Sequence, residues 1–169
     1  MSTPLFAIGP APLALEPLVA AVASQSDGVD PSTGSGRCGG VAIFLGLVRN
    51  HNQGRRVTYL EYDAYEPLAL KTFARIDEEV RRRWPGMRLA LHHRTGRLEI
   101  GEASVAIVTA SPHRGDAFAA CRYVIERVKQ IVPVWKHEHF DGGDVWIEGA
   151  TADPDDSRAR EEAERIACA

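Results

Sequence analysis

Ala103 to Lys136, ASVAIVTASPHRGDAFAACRYVIERVKQIVPVWK, is the stretch whose reading decides the fold. Ala103 to Ala110 is nearly continuous in apolar residues, which predicts a strand covered on both faces and central in its sheet. Ser111-Pro112-His113-Arg114 then opens a helix on which Ala117, Cys121, Val124, Val128 and Ile131 recur at helical spacing and mark the core face. Pro133 cannot continue that helix and biases Val132 toward an extended conformation, so the chain turns sharply and Trp135-Lys136 begins a strand. Lys129 lies one turn after Ile125 and three residues before Val132, which runs its stem along the apolar stripe and leaves its ammonium at the margin. The turn therefore directs Lys129 and Lys136 toward one spot. Like charge and partial burial there lower at least one lysine pKa and favour a carboxylate, thiocarboxylate or phosphate.

Working outward, Leu5 to Ile8 reads as a short strand and Leu13 to Ala23 as an amphipathic helix. Ser24 to Gly36, rich in Ser, Gly and Asp, reads as a flexible loop (24–36). Gly39 to Val48 suits a buried strand that leads into Arg49-Asn50-His51-Asn52. Val57 to Tyr65 alternates as a strand, and Pro67 starts a helix that Pro85-Gly86 stops after Trp84. Met87 to Thr95 reads as a further strand, joined to the central one through Leu98-Glu-Ile-Gly101. Trp135 to Phe140 and Asp144 to Glu148 read as a hairpin around Asp141-Gly142-Gly143, and residues 153–169 as a charged tail, helical or disordered. Hairpins are present and a Gly-rich phosphate loop is not, so an α+β fold is expected rather than a doubly wound sheet.

At 169 residues the chain is expected to form a single domain, 1–169. A formal charge of -3 opposes a general nucleic-acid binder. Three cysteines, widely spaced and without a C-x-x-C pattern, oppose a disulfide framework or zinc ribbon and fit a reducing cytoplasm. The apolar run from Pro4 to Ser24 has no Lys or Arg before it and is broken by Glu16 and three prolines, unlike a signal peptide. No stretch reaches the roughly 20 apolar residues that span a bilayer, so no membrane partner is expected.

His113-Arg114 sits at a helix N-terminus, where free N–H groups favour an anion; either it binds one, or His113 only helps to cap the helix. Arg49, at a strand end, has the same two readings. Arg114 and Lys129 are fifteen helical residues apart, about 22 Å at a rise of 1.5 Å per residue. One small substrate reaches both only if the helix bends back, the substrate is long, or His113-Arg114 comes from a second subunit. The last is preferred, and a homodimer with shared sites is expected. His137 and His139 share a strand face but lack an evident third ligand, so no metal is assigned. Arg81-Arg82-Arg83 reads as a solvated helix end, His92-His93-Arg94 is left unassigned, and Ser111 lacks triad partners.

Gly46-Leu-Val-Arg49-Asn50-His51-Asn52, Ser111-Pro-His113-Arg114, Lys129 through Pro133-Val-Trp135-Lys136-His-Glu138, and Gly143-Asp144-Val-Trp146-Ile-Glu148 together resemble the large, catalytic subunit family of molybdopterin synthase. The resemblance implies an α/β hammerhead-type domain with an additional antiparallel β subdomain. It implies a homodimer that binds a small ubiquitin-like sulfur-carrier subunit at each end, a heterotetramer. The carrier's Gly-Gly thiocarboxylate supplies sulfur for a sulfurtransferase that converts cyclic pyranopterin monophosphate to molybdopterin, with no further cofactor. By this resemblance Lys129 is the essential lysine, Lys136 its helper, and Arg49, His113 and Arg114 bind the phosphate and pterin. Where the family often has an arginine after the last strand, Gly149-Ala150 follows Glu148, and Arg158 or Arg160 is a candidate substitute. The chain ends Ala167-Cys168-Ala169 rather than Gly-Gly, so the carrier is expected to be another protein. A non-catalytic dimeric scaffold of the same fold is the alternative reading.

Overall fold

The computed structural model describes residues 3–24, 38–147 and 149–169. The elements, in chain order, are β1 (Phe6–Gly9), α1 (Leu15–Ser24), β2 (Gly40–Leu47), β3 (His51–Asn52), β4 (Arg55–Ala64), α2 (Glu66–Arg83), β5 (Arg88–Arg94), β6 (Gly96–Glu99), β7 (Ala103–Ser111), α3 (Arg114–Ile131), β8 (Val134–Phe140), β9 (Gly143–Ile147) and α4 (Ser157–Ala167). The fold is α+β. The segment expected as a flexible loop lies outside the described residues, apart from Ser24, which ends α1.

One sheet has the order β1-β5-β7-β2, antiparallel except for the β1–β5 pair. The apolar run is β7, inside that sheet, and its two faces enter different cores. Val105 and Ile107 pack with Phe73, Ile76, Val80, Val124 and Val128 of α2 and α3, whereas Ala106, Val108 and Ala110 pack with Leu18 and Val22 of α1. Small side chains on the second face let the short α1 lie close.

Among the described residues β2 is an edge strand and not the buried strand expected. Ala42, Phe44 and Gly46 face α3, but α1 does not reach the other face, where Val41, Ile43, Leu45 and Leu47 stay 38–55% exposed. β2 starts on Gly39-Gly40 because a Cβ on Gly40 would come within 2.9 Å of Arg114 Cα.

The second sheet runs β3-β4-β8-β9, with β6 on the free side of β4. The link read as Leu98-Glu-Ile-Gly101 thus contains a strand: Leu98 lies opposite Leu60 and is fully buried with Val48 and Val57. The expected hairpin is β8–β9, turning at Asp141-Gly142. In the C-terminal tail the chain forms α4, opened by Asp156, whose carboxylate accepts from the N–H groups of Arg158 and Ala159.

α2 and α3 are joined by a buried ion pair. Arg127 and Glu79 meet through two 2.8 Å bonds, Nε to Oε2 and Nη2 to Oε1, and the Tyr123 hydroxyl donates to Oε2 at 2.8 Å. Gln130, at the end of α3, donates to Ala159 O of α4 at 2.9 Å.

Candidate functional site

Where α3 ends, the chain leaves Val132 in an extended conformation and enters β8, so the last turn of α3 faces the inner side of the second sheet. Between them, and closed by the end of β2, is a cavity of about 700 Å³. Val57, Leu60, Ile125, Val128 and Val132 form apolar wall; Arg49, Lys129, Lys136 and Glu138 bring charge to it. Three cations against one carboxylate suit an anionic ligand with an apolar body.

Lys129 and Lys136 thus do meet, and Arg49 joins them. Lys136 is half-buried and 3.9 Å from Glu138 Oε2. Burial pushes its pKa below the usual lysine value; Glu138 opposes this, and the positive charges of Arg49 and Lys129 add to it. Removing a cation relieves repulsion of the protonated form, so Arg49→Ala should raise the Lys136 pKa, and Glu138→Gln should lower it further. Titration of isotopically labelled lysine side chains by NMR reads both; shifts in the same direction would overturn the arrangement.

Glu138 is the charged residue that sequence reasoning left without a role. It is 1% exposed; Oε2 accepts from Asn52 Nδ2 at 2.8 Å, and Oε1 lies 3.9 Å from Arg55 Nη2 with no hydrogen bond. The signal was strand alternation: Lys136 and Glu138 are two apart and must share a face. His93 was also missed. It lines the cavity, donates from Nδ1 to Arg94 O at 2.8 Å, and burial lowers its pKa, favouring the neutral ring. Tyr62 lies edge-on to it at 5.2 Å, its hydroxyl pKa raised by burial against a lowering hydrogen bond with Ser104.

His113 and Arg114 do not line this cavity. Both are exposed at the start of α3, beside Gly40, at the opposite end of β2 from Leu47. His113 is the N-cap residue, its carbonyl accepting from Ala117 N at 3.2 Å, but its imidazole makes no capping hydrogen bond. α3 runs unbroken from Arg114 to Ile131, which removes the alternative of a helix bending back.

The backbone after β9 is closely packed. Gly149 lines the cavity, and a Cβ there would lie 2.4 Å from Val134 O, so no side chain fits without moving the strand. Neither Arg158 nor Arg160 lines the cavity in place of the missing arginine; Arg160 lies 4.0 Å from Glu79, in the α2–α3 ion-pair cluster.

Comparison with known proteins gives one consistent result. The MoaE protein family profile matches residues 12–131. The chain is 47% identical over 109 residues to the molybdopterin synthase catalytic subunit of Halalkalibacterium halodurans, covering 64% of this chain and 70% of that protein. It is 42% identical over 144 residues to the molybdopterin synthase catalytic subunit of a Nostoc species, covering 84% of this chain and 81% of that one. The crystal structure of molybdopterin synthase from Staphylococcus aureus is similar with a TM-score of 0.76 at 36% identity, over 86% of this chain and 98% of that one.

Proposed function

The chain belongs to the MoaE family, and from that premise we propose that it is the catalytic subunit of a molybdopterin synthase. In this reading it is a sulfurtransferase that moves sulfur from the C-terminal thiocarboxylate of a small ubiquitin-like carrier to cyclic pyranopterin monophosphate. The observation that carries the reading is the cavity itself, which gathers Arg49, Lys129 and Lys136 around the buried Glu138. Its charge suits both a thiocarboxylate and a phosphate, and its apolar wall suits a flat heterocycle.

In this reading Arg49 offers a fork of donors to the phosphate. Lys129 transfers protons and stabilises the negative charge that develops as sulfur leaves the acyl carbon of the carrier. Lys136, its pKa held down by burial, assists from the floor, and Glu138 keeps its ammonium directed into the cavity. His113 and Arg114 serve the cavity of a second copy, supported by the straight α3 that holds them about 22 Å from Lys129.

The exposed apolar stripe on the edge strand β2 supports a contact between two copies. Ile43→Asp is therefore expected to convert a dimer to monomer in light scattering, with an unchanged circular dichroism spectrum. A variant that remains dimeric would remove β2 from the interface.

The overall reading is tested by mixing the protein with a thiocarboxylated carrier and cyclic pyranopterin monophosphate. Molybdopterin formation is expected. No product, with the carrier bound, would favour the non-catalytic scaffold.

A further inference from the structure

The strand that points Lys136 and Glu138 into the cavity points His137 and His139 out of its other face, and there the sequence stopped for want of a third ligand. β4 supplies it. Glu61 lies directly opposite His137 in the β4–β8 register, and its Oε2 is 2.6 Å from His139 Nε2 and 3.6 Å from His137 Nδ1. One ligand atom from each of the three residues lies within 4.8 Å of the others, close enough to surround a single ion.

The surroundings orient these groups. Asp144 of β9 is 2.7 Å from His137 Nε2, and because a carboxylate only accepts, that nitrogen donates to it and leaves Nδ1, on the side of Glu61, as the ring nitrogen available to an ion. A carboxylate behind a histidine is the usual support of a metal-bound imidazole. Both rings are also clamped by aromatic stacking, His137 on Trp146 at 4.3 Å and His139 on Tyr59 at 4.1 Å. Stacking on both rings reduces the side-chain entropy lost when an ion binds. Arg97 stacks over Tyr59 and donates to Glu99 at 2.7 Å, and its charge also acts on Glu61.

We propose that His137, His139 and Glu61 form a binding site for a divalent transition-metal ion on the outer face of the second sheet, with Asp144 as the positioning carboxylate. Two imidazoles and a carboxylate suit Zn²⁺ and its neighbours in the first row better than Mg²⁺ or Ca²⁺, which take all-oxygen sites. Solvent water completes the shell. On binding, the proton between His139 Nε2 and Glu61 is released to solvent, and the nitrogen lone pair and the carboxylate oxygen both turn to the ion. The ion would join β4 to β8 across the back of the strands that carry Tyr62, Lys136 and Glu138.

Equilibrium dialysis of the chelator-treated protein against Zn²⁺, with Co²⁺ absorption as the spectroscopic probe, tests the site without carrier or substrate. One equivalent is expected to bind and raise the thermal midpoint. His139→Ala should weaken binding at least about 10-fold, and Asp144→Asn by about 10- to 100-fold, while His92→Ala leaves it unchanged. Circular dichroism confirms that each variant is folded, and Asp144→Asn, an exposed conservative change, keeps the test decisive if His139→Ala is not. No stoichiometric binding, or binding by the His139→Ala and Asp144→Asn variants as tight as that of the unaltered protein, would overturn the site. So would a thiolate-to-Co²⁺ charge-transfer band, which would place the ion on cysteine.

Discussion

Lys129→Ala is expected to lower molybdopterin formation by about 10²- to 10⁴-fold at saturating carrier and substrate, the range found when a positioned proton-transfer group is removed. Carrier binding and dimerisation should persist. The side chain is exposed at the cavity margin, so its truncation should change folding stability by no more than about 0.5 kcal/mol. Loss of activity then reports on chemistry and not on the fold. Lys129→Arg refines the assignment, because a guanidinium keeps the charge but does not release a proton near neutral pH. Recovery by arginine would mean that charge alone is needed. Undiminished transfer in the alanine variant would remove Lys129 from the reaction and leave Lys136, whose pKa is already lowered, as the working lysine.

Glu79→Ala carries the largest expected cost to folding, about 3–5 kcal/mol, because it strands a buried charge. Arg127 is fully buried and meets Glu79 through two 2.8 Å bonds, and Tyr123 donates to the same carboxylate. Such a loss is a large part of the roughly 5–15 kcal/mol that holds a domain folded. Urea denaturation monitored by circular dichroism should show the midpoint fall at an unchanged slope. Joint replacement of Glu79 and Arg127 by Met should recover part of the loss, since the fully buried charge goes with its partner and the other cations beside Glu79, Arg75 and Arg160, are partly exposed. A drop below about 1 kcal/mol for the single variant would mean that water reaches Arg127.

The same carboxylate gives a signed pH dependence. Burial pushes the Glu79 pKa up, but the hydrogen bonds from Arg127 and Tyr123 outweigh it, and the folded value lies below the ordinary one. Its contribution to stability is therefore complete above the ordinary glutamate pKa and is lost as pH falls through the lower folded value. The Glu79→Ala variant should lack that part of the acid destabilisation.

Much of this molecule was legible from local pattern. The double-sided burial of β7, the core face of α3, the break at Pro133 and the β8–β9 hairpin each follow from the period of apolar residues and from proline or glycine at a turn. The convergence of Lys129 and Lys136 was also legible, since a helix end and the next strand joined by a tight turn leave their side chains few directions. Less legible were features set by partners distant in sequence. The run from Gly39 to Val48 has the composition of a buried strand, yet β2 lies at the edge because strand order, which leaves no local trace, places β7 on only one side of it. Leu98 looked like a connector residue until its pairing with Leu60 made it core.

The sequence by itself determined the main helices and strands, the family, and the pair of lysines at the end of α3, because each rests on residues within a few turns of one another. Only the tertiary structure decided that Glu138 completes the charged cavity and that Glu61 meets His137 and His139. It likewise decided that His113-Arg114 stands apart from Lys129 at the other end of a straight α3. For the sheet residues the physical reason is register: a shift of one residue between β4 and β8 would turn Glu138, His137 and His139 to the opposite face relative to Glu61. That register is set by the whole set of cross-strand contacts rather than by any stretch of the chain alone.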